Sequence, residues 1–339
     1  MEPIYIGCDL HKRTSTLCVK TKAGRVVEEV KIKTTKEAFA QVCGQYLGAH
    51  IVFEPVGQSW WLGDILEELG LVVYLANARE VKAIAHARVK NDTVDAAVLC
   101  DLLRSDLLPE SYRSSKAARE WKELVRFRAS LVHLRTQVKN KIHALLGRNG
   151  LVAPLGSIFG KTGRRWLAEL ELSVLHRTHL DQYLDLLDRY EDQIATATQR
   201  IEAVVADSAA VALLLSVPGI SYVSALSIMS EIDTIDRFST GKQVASYAGL
   251  TPSVYASGET VRYGRLTKKG SKTLRTILIE VAHSQGRLKT KTGLRPYFDR
   301  IKARKGSRTA TVATARKLCS IIHAVLTAGQ PFDDTRIVA

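Results

Sequence analysis

Four acidic side chains are spaced as a metal-dependent phosphodiester-cleaving site requires. Asp9 closes the apolar run Ile4-Tyr5-Ile6-Gly7-Cys8, where a purely solvated role is awkward. Glu54 closes the short run His50-Ile51-Val52-Phe53. Asp92 and Asp95 are three apart and share one face of a predicted helix. Acids delivered by two strand ends and one helix can converge on a point that no local segment could build. Like charges gathered in this way repel, and one or more takes up a proton unless a cation joins them. Mg2+ suits such a set because it takes oxygen ligands, a few carboxylates plus substrate phosphates, and Mn2+ shares that preference. Two such ions, roughly 3.5–4 Å apart, activate one oxygen and stabilise the leaving one in phosphodiester cleavage. Each acid alone also has a simpler reading: Asp9 as a turn residue, Glu54 as a surface acid before Pro55, and Asp92 as a helix N-cap.

The elements that must position these acids follow from periodicity. Residues 4–9, 16–20 and 26–30, separated by the turn Lys22-Ala23-Gly24-Arg25, predict an antiparallel meander. A helix over 35–47, a strand over 50–53, a helix over 59–69, a strand over 71–75 and a helix over 79–88 predict parallel pairing with helical crossovers. A further helix spans 91–106, and Pro109 marks the domain edge. The expected fold is thus α/β plus α: a mixed-sheet domain over 1–110, an arm over 111–207, and a mostly helical domain over 208–339.

The arm is read from heptads. Leu124, Leu131, Val138 and Leu145 recur every seven residues, with Phe127 and Leu134 at intermediate positions. Leu180, Leu187, Ile194 and Ile201 repeat the pattern, followed three residues on by Tyr183, Tyr190, Ala197 and Val204. Two such helices joined by a Gly- and Pro-containing loop predict an antiparallel coiled-coil arm, or one that pairs between chains. An ordinary helical hairpin is the plainer alternative. Val217-Pro218-Gly219-Ile220 then breaks the chain before a helix over 221–231. That resembles a helix-hairpin-helix element, whose backbone N–H groups grip a phosphate. Residues 250–269 read as a loop-rich stretch, and helices follow over 270–285, 294–304 and 307–327.

The chain of 339 residues carries a net charge of +15, and the charge is uneven. Residues 1–110 have a net of −2, 111–150 of +8, 151–256 of −4 and 257–339 of +13. Two basic blocks on an otherwise acidic chain read as polyphosphate footprints. In the first, ten basic residues, among them Lys122, Arg126, Arg135 and Lys139, surround the heptad core with two acids only, whereas a solvated coiled-coil face carries mixed signs. Arg262, Arg265, Lys268, Lys269 and Arg275 stand out in the second, and Gly219 marks the hairpin. The sequence has no long uncharged apolar run and no secretion-signal pattern at its start, so cytoplasmic residence without a membrane partner is expected. Five cysteines with no C-x-x-C pair read as small buried hydrophobes.

Gly7-Cys8-Asp9-Leu10-His11-Lys12, Phe53-Glu54-Pro55 and Asn91-Asp92-Thr93-Val94-Asp95 resemble the acidic signature of the DEDD insertion-sequence transposases of the IS one-ten (IS110) family, the bridge-RNA-guided recombinases. Val217-Pro218-Gly219-Ile220, Gly249-Leu250-Thr251-Pro252, Ser257-Gly258 and Thr267-Lys268-Lys269-Gly270 resemble that family's C-terminal domain. The resemblance implies an RNase H-like (RuvC-like) first domain in which Asp9, Glu54, Asp92 and Asp95 hold Mg2+. It implies that Ser257 attacks the DNA phosphate and forms a phosphoserine. It further implies donor and target DNA as substrates, a structured non-coding bridge RNA as guide, and dimers that pair into a tetrameric synapse. Ser253 and Ser271 are neighbouring candidates for the nucleophile, but Ser257 has the following glycine of the family's Ser-Gly pair. Two rival functions remain: a structure-selective RuvC-like endonuclease using water, and an inactive nucleic-acid-binding protein.

Overall fold

The computed structural model describes residues 2–57, 59–84, 91–153, 156–257, 260–289 and 292–336. The chain divides into two compact units, Met1–Ser114 and Ser115–Ala339. Neither contains, among the described residues, a helix long and apolar enough to cross a membrane.

The first unit runs β1 (Ile4–Leu10), β2 (Thr14–Thr21), β3 (Val26–Lys33), α1 (Lys36–Cys43), β4 (His50–Phe53), α2 (Ser59–Glu68), β5 (Val72–Leu75), α3 (Ala78–Ile84) and α4 (Asp92–Arg104). Its five strands form one mixed sheet in the order β3-β2-β1-β4-β5. The first three strands are an antiparallel meander, and β4 and β5 extend it in parallel from β1. One sheet face packs on α1 and α2 through Ile6, Cys8, Leu17, Val19, Phe39, Ile51, Phe53, Leu62 and Leu66, all buried. The other face receives α4, through Val52, Leu99, Leu102 and Leu103. The predicted end of α3, residues 85–88, lies outside the described residues. Helix α1 is shorter than the predicted 35–47, because Thr35 caps its start and the chain leaves the helix at Gly44.

Gly7 sets how α4 lies on the sheet. A Cβ built on Gly7 would fall 2.0 Å from the Ala96 carbonyl oxygen and 2.6 Å from the Cys100 nitrogen. Only a residue without a side chain lets the helix backbone come down onto β1 here. Beside it the Cys100 thiol donates to the Tyr5 carbonyl at 3.2 Å.

The second unit runs α5 (Lys116–Arg148), α6 (Lys161–Glu169), α7 (Val174–Val205), α8 (Ala209–Leu215), α9 (Tyr222–Ile232), α10 (Gly241–Tyr247), β6 (Pro252–Ser257), β7 (Thr260–Leu266), α11 (Lys272–Gln285) and α12 (Arg295–Ala328). Helices α5 and α7 run antiparallel: Leu145 and Val138 pack with Leu180 and Leu187, Leu131 with Ile194, and Val125 with Ile201. On α7, Leu180, Leu187, Ile194 and Ile201 are buried and so is Ala197, whereas Tyr183 and Tyr190 are half-buried and Val204 is exposed. On α5 the intermediate positions differ from the expectation, since Phe127 is 53% and Leu134 38% exposed while Val125 and Ile142 are buried. A straight helix of 3.6 residues per turn drifts off a strict seven-residue repeat, which moves the contact line. Helix α7 also begins before 180, because the Ser173 side chain caps it by accepting from the His176 N–H.

Helices α8 to α12 share one core around Leu226, Leu278, Leu318 and Ile322. The stretch 250–269, expected to be loop-rich, is instead the antiparallel hairpin β6–β7. Pro252 is its first strand residue, the one strand position proline tolerates well. Helix α12 merges the two predicted helices across a break at Gly306, which has φ 80° and ψ 167°. All five cysteines are free and buried.

Replacing Gly7 with alanine is expected to push α4 off β1, at a cost of about 1–3 kcal/mol for an overpacked contact. Chemical denaturation of the Gly7→Ala variant checks this, and an unchanged midpoint would show that the contact is not under steric control.

Candidate active site

Strand register brings the acids together. The last pair of the parallel β1–β4 ladder is Cys8 with Phe53, so Asp9 and Glu54 each follow directly at the same end of neighbouring strands. That end is the C-terminal edge of the parallel strands, where open α/β sheets bind ligands. The Glu54 backbone is fixed by Ser59, whose hydroxyl donates to the Glu54 carbonyl at 3.1 Å and accepts from the Val56 N–H at 2.5 Å.

The start of α4 supplies the other acids. Its N-cap is Asn91, whose Oδ1 accepts from the Val94 N–H at 2.8 Å. Asp92 is therefore not the cap, and both Asp92 and Asp95 lie in the first turn, where the helix dipole favours negative charge. Because Gly7 seats α4 on β1, this first turn lies close enough to Asp9 for its charges to act there.

Two residues absent from the sequence-derived set complete the cluster. His11, in the β1–β2 turn, places Nε2 3.0 Å from Asp9 Oδ2 and 3.8 Å from Asp92 Oδ1. Lys31 on β3 places its ammonium 2.8 Å from Asp92 Oδ2. His11 follows Asp9 by two positions, the spacing that keeps side chains on one face of a strand, and this was the available signal. Lys31 had none, because its place depends on cross-strand register.

The electrostatics match this geometry. Burial is the largest influence on Asp9 and raises its pKa; His11 opposes that rise, and the charges of Asp92 and Asp95 add to it. Asp92 is held below its usual range by the hydrogen bond and charge of Lys31. Ligand atoms of Asp9, His11 and Asp92 all lie within 4.8 Å of one another, so these side chains could hold a divalent ion. A half-buried carboxylate resisting ionisation, beside further carboxylates, has the chemistry of a cation site.

The remaining predicted residues lie in the second unit. Ser257 is the last residue of β6, paired with Thr260 across the hairpin, and Gly258 lies outside the described residues. Of its neighbours, the Ser253 hydroxyl donates to the Arg265 carbonyl at 3.2 Å. Ser271 caps α11 and donates to the buried Glu231 at 2.9 Å. Arg262, Arg265, Lys268 and Lys269 are exposed along and after the hairpin. Arg275 donates to the Ala248 and Lys268 carbonyls at 3.0 and 3.3 Å, holding the loop before α11.

On α5, Arg126 approaches Glu231 at 3.4 Å and Lys139 approaches Glu191 at 3.4 Å, while Lys122 and Arg135 are half-buried. Burial lowers the Lys122 pKa. The turn before α9 has Gly219 at φ +82°, where a Cβ would meet the Ser284 hydroxyl at 2.4 Å. Ser221 and Ser224 form a capping box there, so their own side chains take two of the N–H groups at the helix start.

A mixed sheet with acids at neighbouring strand ends, beside side chains that could hold a divalent ion, offers the chemistry that metal-assisted phosphodiester cleavage uses. Comparison with known proteins makes this specific. A DEDD-type IS110 transposase family model matches residues 6–149, and the Transposase IS116/IS110/IS902 family model matches residues 211–297. The transposase for insertion sequence element IS1111A of Coxiella burnetii is 25% identical over 334 residues, covering 95% of this chain and 89% of the relative. The transposase for insertion sequence element IS1328 of Yersinia enterocolitica is 24% identical over 333 residues, covering 96% and 98%. A shorter match, 30% identical over 127 residues and covering 36% and 38%, is to the pilin gene-inverting protein of Moraxella bovis. The chain belongs to the IS110 family of transposases.

Asp9 yields a pH prediction. Its folded-state pKa lies above the unfolded value, so its ionised form destabilises the metal-free fold. That effect is absent below the ordinary carboxylate pKa and complete above the raised one. In metal-free buffer Asp9→Asn is expected to melt above wild type at neutral pH, with the gap closing as pH falls through the acid range. Melting temperatures measured across pH check this, and a gap independent of pH would contradict it.

Proposed function

We propose that this transposase cleaves and rejoins donor and target DNA with Asp9, Glu54, Asp92 and Asp95 as the metal-holding acids and Ser257 as the nucleophile. The observation that carries the proposal is the meeting of Asp9 with the first turn of α4, at the sheet edge where Glu54 also emerges. The meander continued by parallel strands, with acids at those positions, supports an RNase H-like, RuvC-like reading of the first unit.

Bound there, Mg2+, or Mn2+ in its place, supplies Lewis-acid neutralisation of phosphate charge and eases loss of the attacking hydroxyl's proton. Asp9 and Asp92 offer oxygens close to one another, and a cation there would favour the ionised form of Asp9 against the burial and neighbouring charge that raise its pKa. The Ser257 oxygen forms a bond to phosphorus as a bridging phosphorus–oxygen bond breaks, and the released DNA oxygen takes a proton. The phosphoserine keeps the energy of the phosphodiester, so attack by a DNA hydroxyl reverses the step and joins strands without an external energy source.

The antiparallel α5–α7 hairpin supports a coiled-coil arm through which chains dimerise and dimers pair in a tetrameric synapse. The basic face of α5, with Lys122, Arg126, Arg135 and Lys139, is the proposed seat of a bridge-type RNA. Arg262, Arg265, Lys268, Lys269 and Arg275, with the hairpin turn at Gly219, are proposed nucleic-acid contacts of the second unit. If base pairing reads the sequence, the protein needs few base contacts of its own. A second reading, an endonuclease using water, is favoured by one observation: the acids gather in the first unit while Ser257 belongs to the second.

Covalent trapping separates the two. Protein co-expressed with the RNA flanking its gene is mixed with labelled donor and target DNA and Mg2+, alongside Ser257→Ala and Asp9→Ala. The expected result is a denaturant-resistant protein–DNA adduct that both substitutions abolish. Cleavage without an adduct, equally fast in Ser257→Ala, would move the assignment to the water-driven endonuclease.

A further inference from the structure

Three strands carry one row of side chains across the sheet: Asp9 on β1 pairs with Thr16 on β2, and Thr16 pairs with Lys31 on β3. Directly paired residues of antiparallel strands project from the same face. The row starts at Asp9, the more buried of the two acids His11 approaches, and ends at a cation. A cleft of about 500 Å³ opens along it, lined by Thr16, Glu29, Val30, Lys31, Asn91, Asp92 and Thr93. Lys31 is the cation in this lining. The Thr16 hydroxyl is buried and has no hydrogen-bond partner.

Lys31 holds Asp92 from one side and His11 approaches it from the other. The ammonium contacts Asp92 Oδ2, whereas His11 Nε2 faces Oδ1. The Lys31 side chain is 58% exposed and the Asp92 side chain 42%, so the pair lies at the mouth of the site, where an ammonium on a four-carbon stem can swing away. A divalent ion entering between Asp9 and Asp92 puts two positive charges beside this ammonium and takes over the neutralisation of Asp92. The hold of Asp92 on the lysine is then weakened, and Glu29, two residues along β3 and also in the lining, is the remaining acid of the cleft. The nearest anion that arrives with the ion is a phosphate of the substrate DNA.

We propose that the cleft is a phosphate-binding subsite and that Lys31 works by exchange: it neutralises Asp92 in the metal-free protein and passes to a DNA phosphate when a divalent ion occupies the acids. This rests on the metal-site reading above and deepens it. Two effects of opposite sign follow. Removing Lys31 removes a competitor for Asp92, which tightens metal binding. It also removes a phosphate contact, which weakens DNA binding. A lysine serving only to brace the fold would weaken both or neither.

The test uses the full chain as wild type, Lys31→Gln and Lys31→Arg, each first checked by thermal melting. Mn2+ is titrated by calorimetry without DNA. Binding of a labelled DNA duplex is then followed by anisotropy with Ca2+ at several salt concentrations. Lys31→Gln is expected to bind Mn2+ several-fold more tightly than wild type. Its salt dependence of DNA binding should be shallower by about one contact, a slope change of about 0.9. Lys31→Arg, which keeps the charge, should stay near wild type in both. Unchanged or weaker Mn2+ binding in Lys31→Gln overturns the exchange while leaving the metal site standing. Asp9→Asn is run alongside; if wild type binds no Mn2+, or Asp9→Asn binds it as well as wild type, the metal-site reading falls and the exchange with it.

Discussion

The close approach of α4 to β1 at Gly7 is the constraint on which the first unit depends. A strand and a helix ordinarily stand apart by the thickness of their side chains. Here the helix backbone rests on the strand, and the first turn of α4 comes within electrostatic reach of an acid two residues beyond the contact. The chain between β5 and α4 need only return the helix to this seat. Parallel pairing of β1 with β4 then adds Glu54 at the neighbouring strand end.

This placement leaves negative charge concentrated on few atoms, and the protein meets the problem with its own cations. His11 and Lys31 stand on either side of Asp92, and the half-buried Asp9 keeps a raised affinity for its proton. Such a site is tense when empty of any ion. A cation bound there would relieve repulsion already built into the fold. Both compensating groups are more than half exposed, at the opening of the site.

Much of this was legible in the sequence. Strand β4 occupies the predicted residues, Asp9 lies one residue before the end of β1, and Leu180, Leu187, Ile194 and Ile201 of the α7 heptad are buried. These are regions where burial and periodicity agree. The misjudged parts lack that agreement. The strands of the β6–β7 hairpin, PSVYAS and TVRYGRL, contain Pro252, Gly264 and two arginines, so no apolar alternation marks them. Phe127 and Leu134 fit the heptad by number but fall away from the α5–α7 contact line. Lys31 meets Asp92 across 61 residues of chain, through a register that only the folded sheet fixes. Asn91 took the capping role that had been one reading of Asp92, freeing that acid for the cluster.

The paired helices of the second unit also fix a scale. Helix α5 has 33 residues, which at about 1.5 Å per residue makes a rod about 50 Å long. At about 3.4 Å per base-pair step, that equals roughly fifteen base pairs, about one and a half turns of a DNA duplex. A buried seam shared with α7 along most of this length makes the rod stiff. The two ends of the rod therefore stand a fixed distance apart, a length comparable to about one and a half turns of duplex.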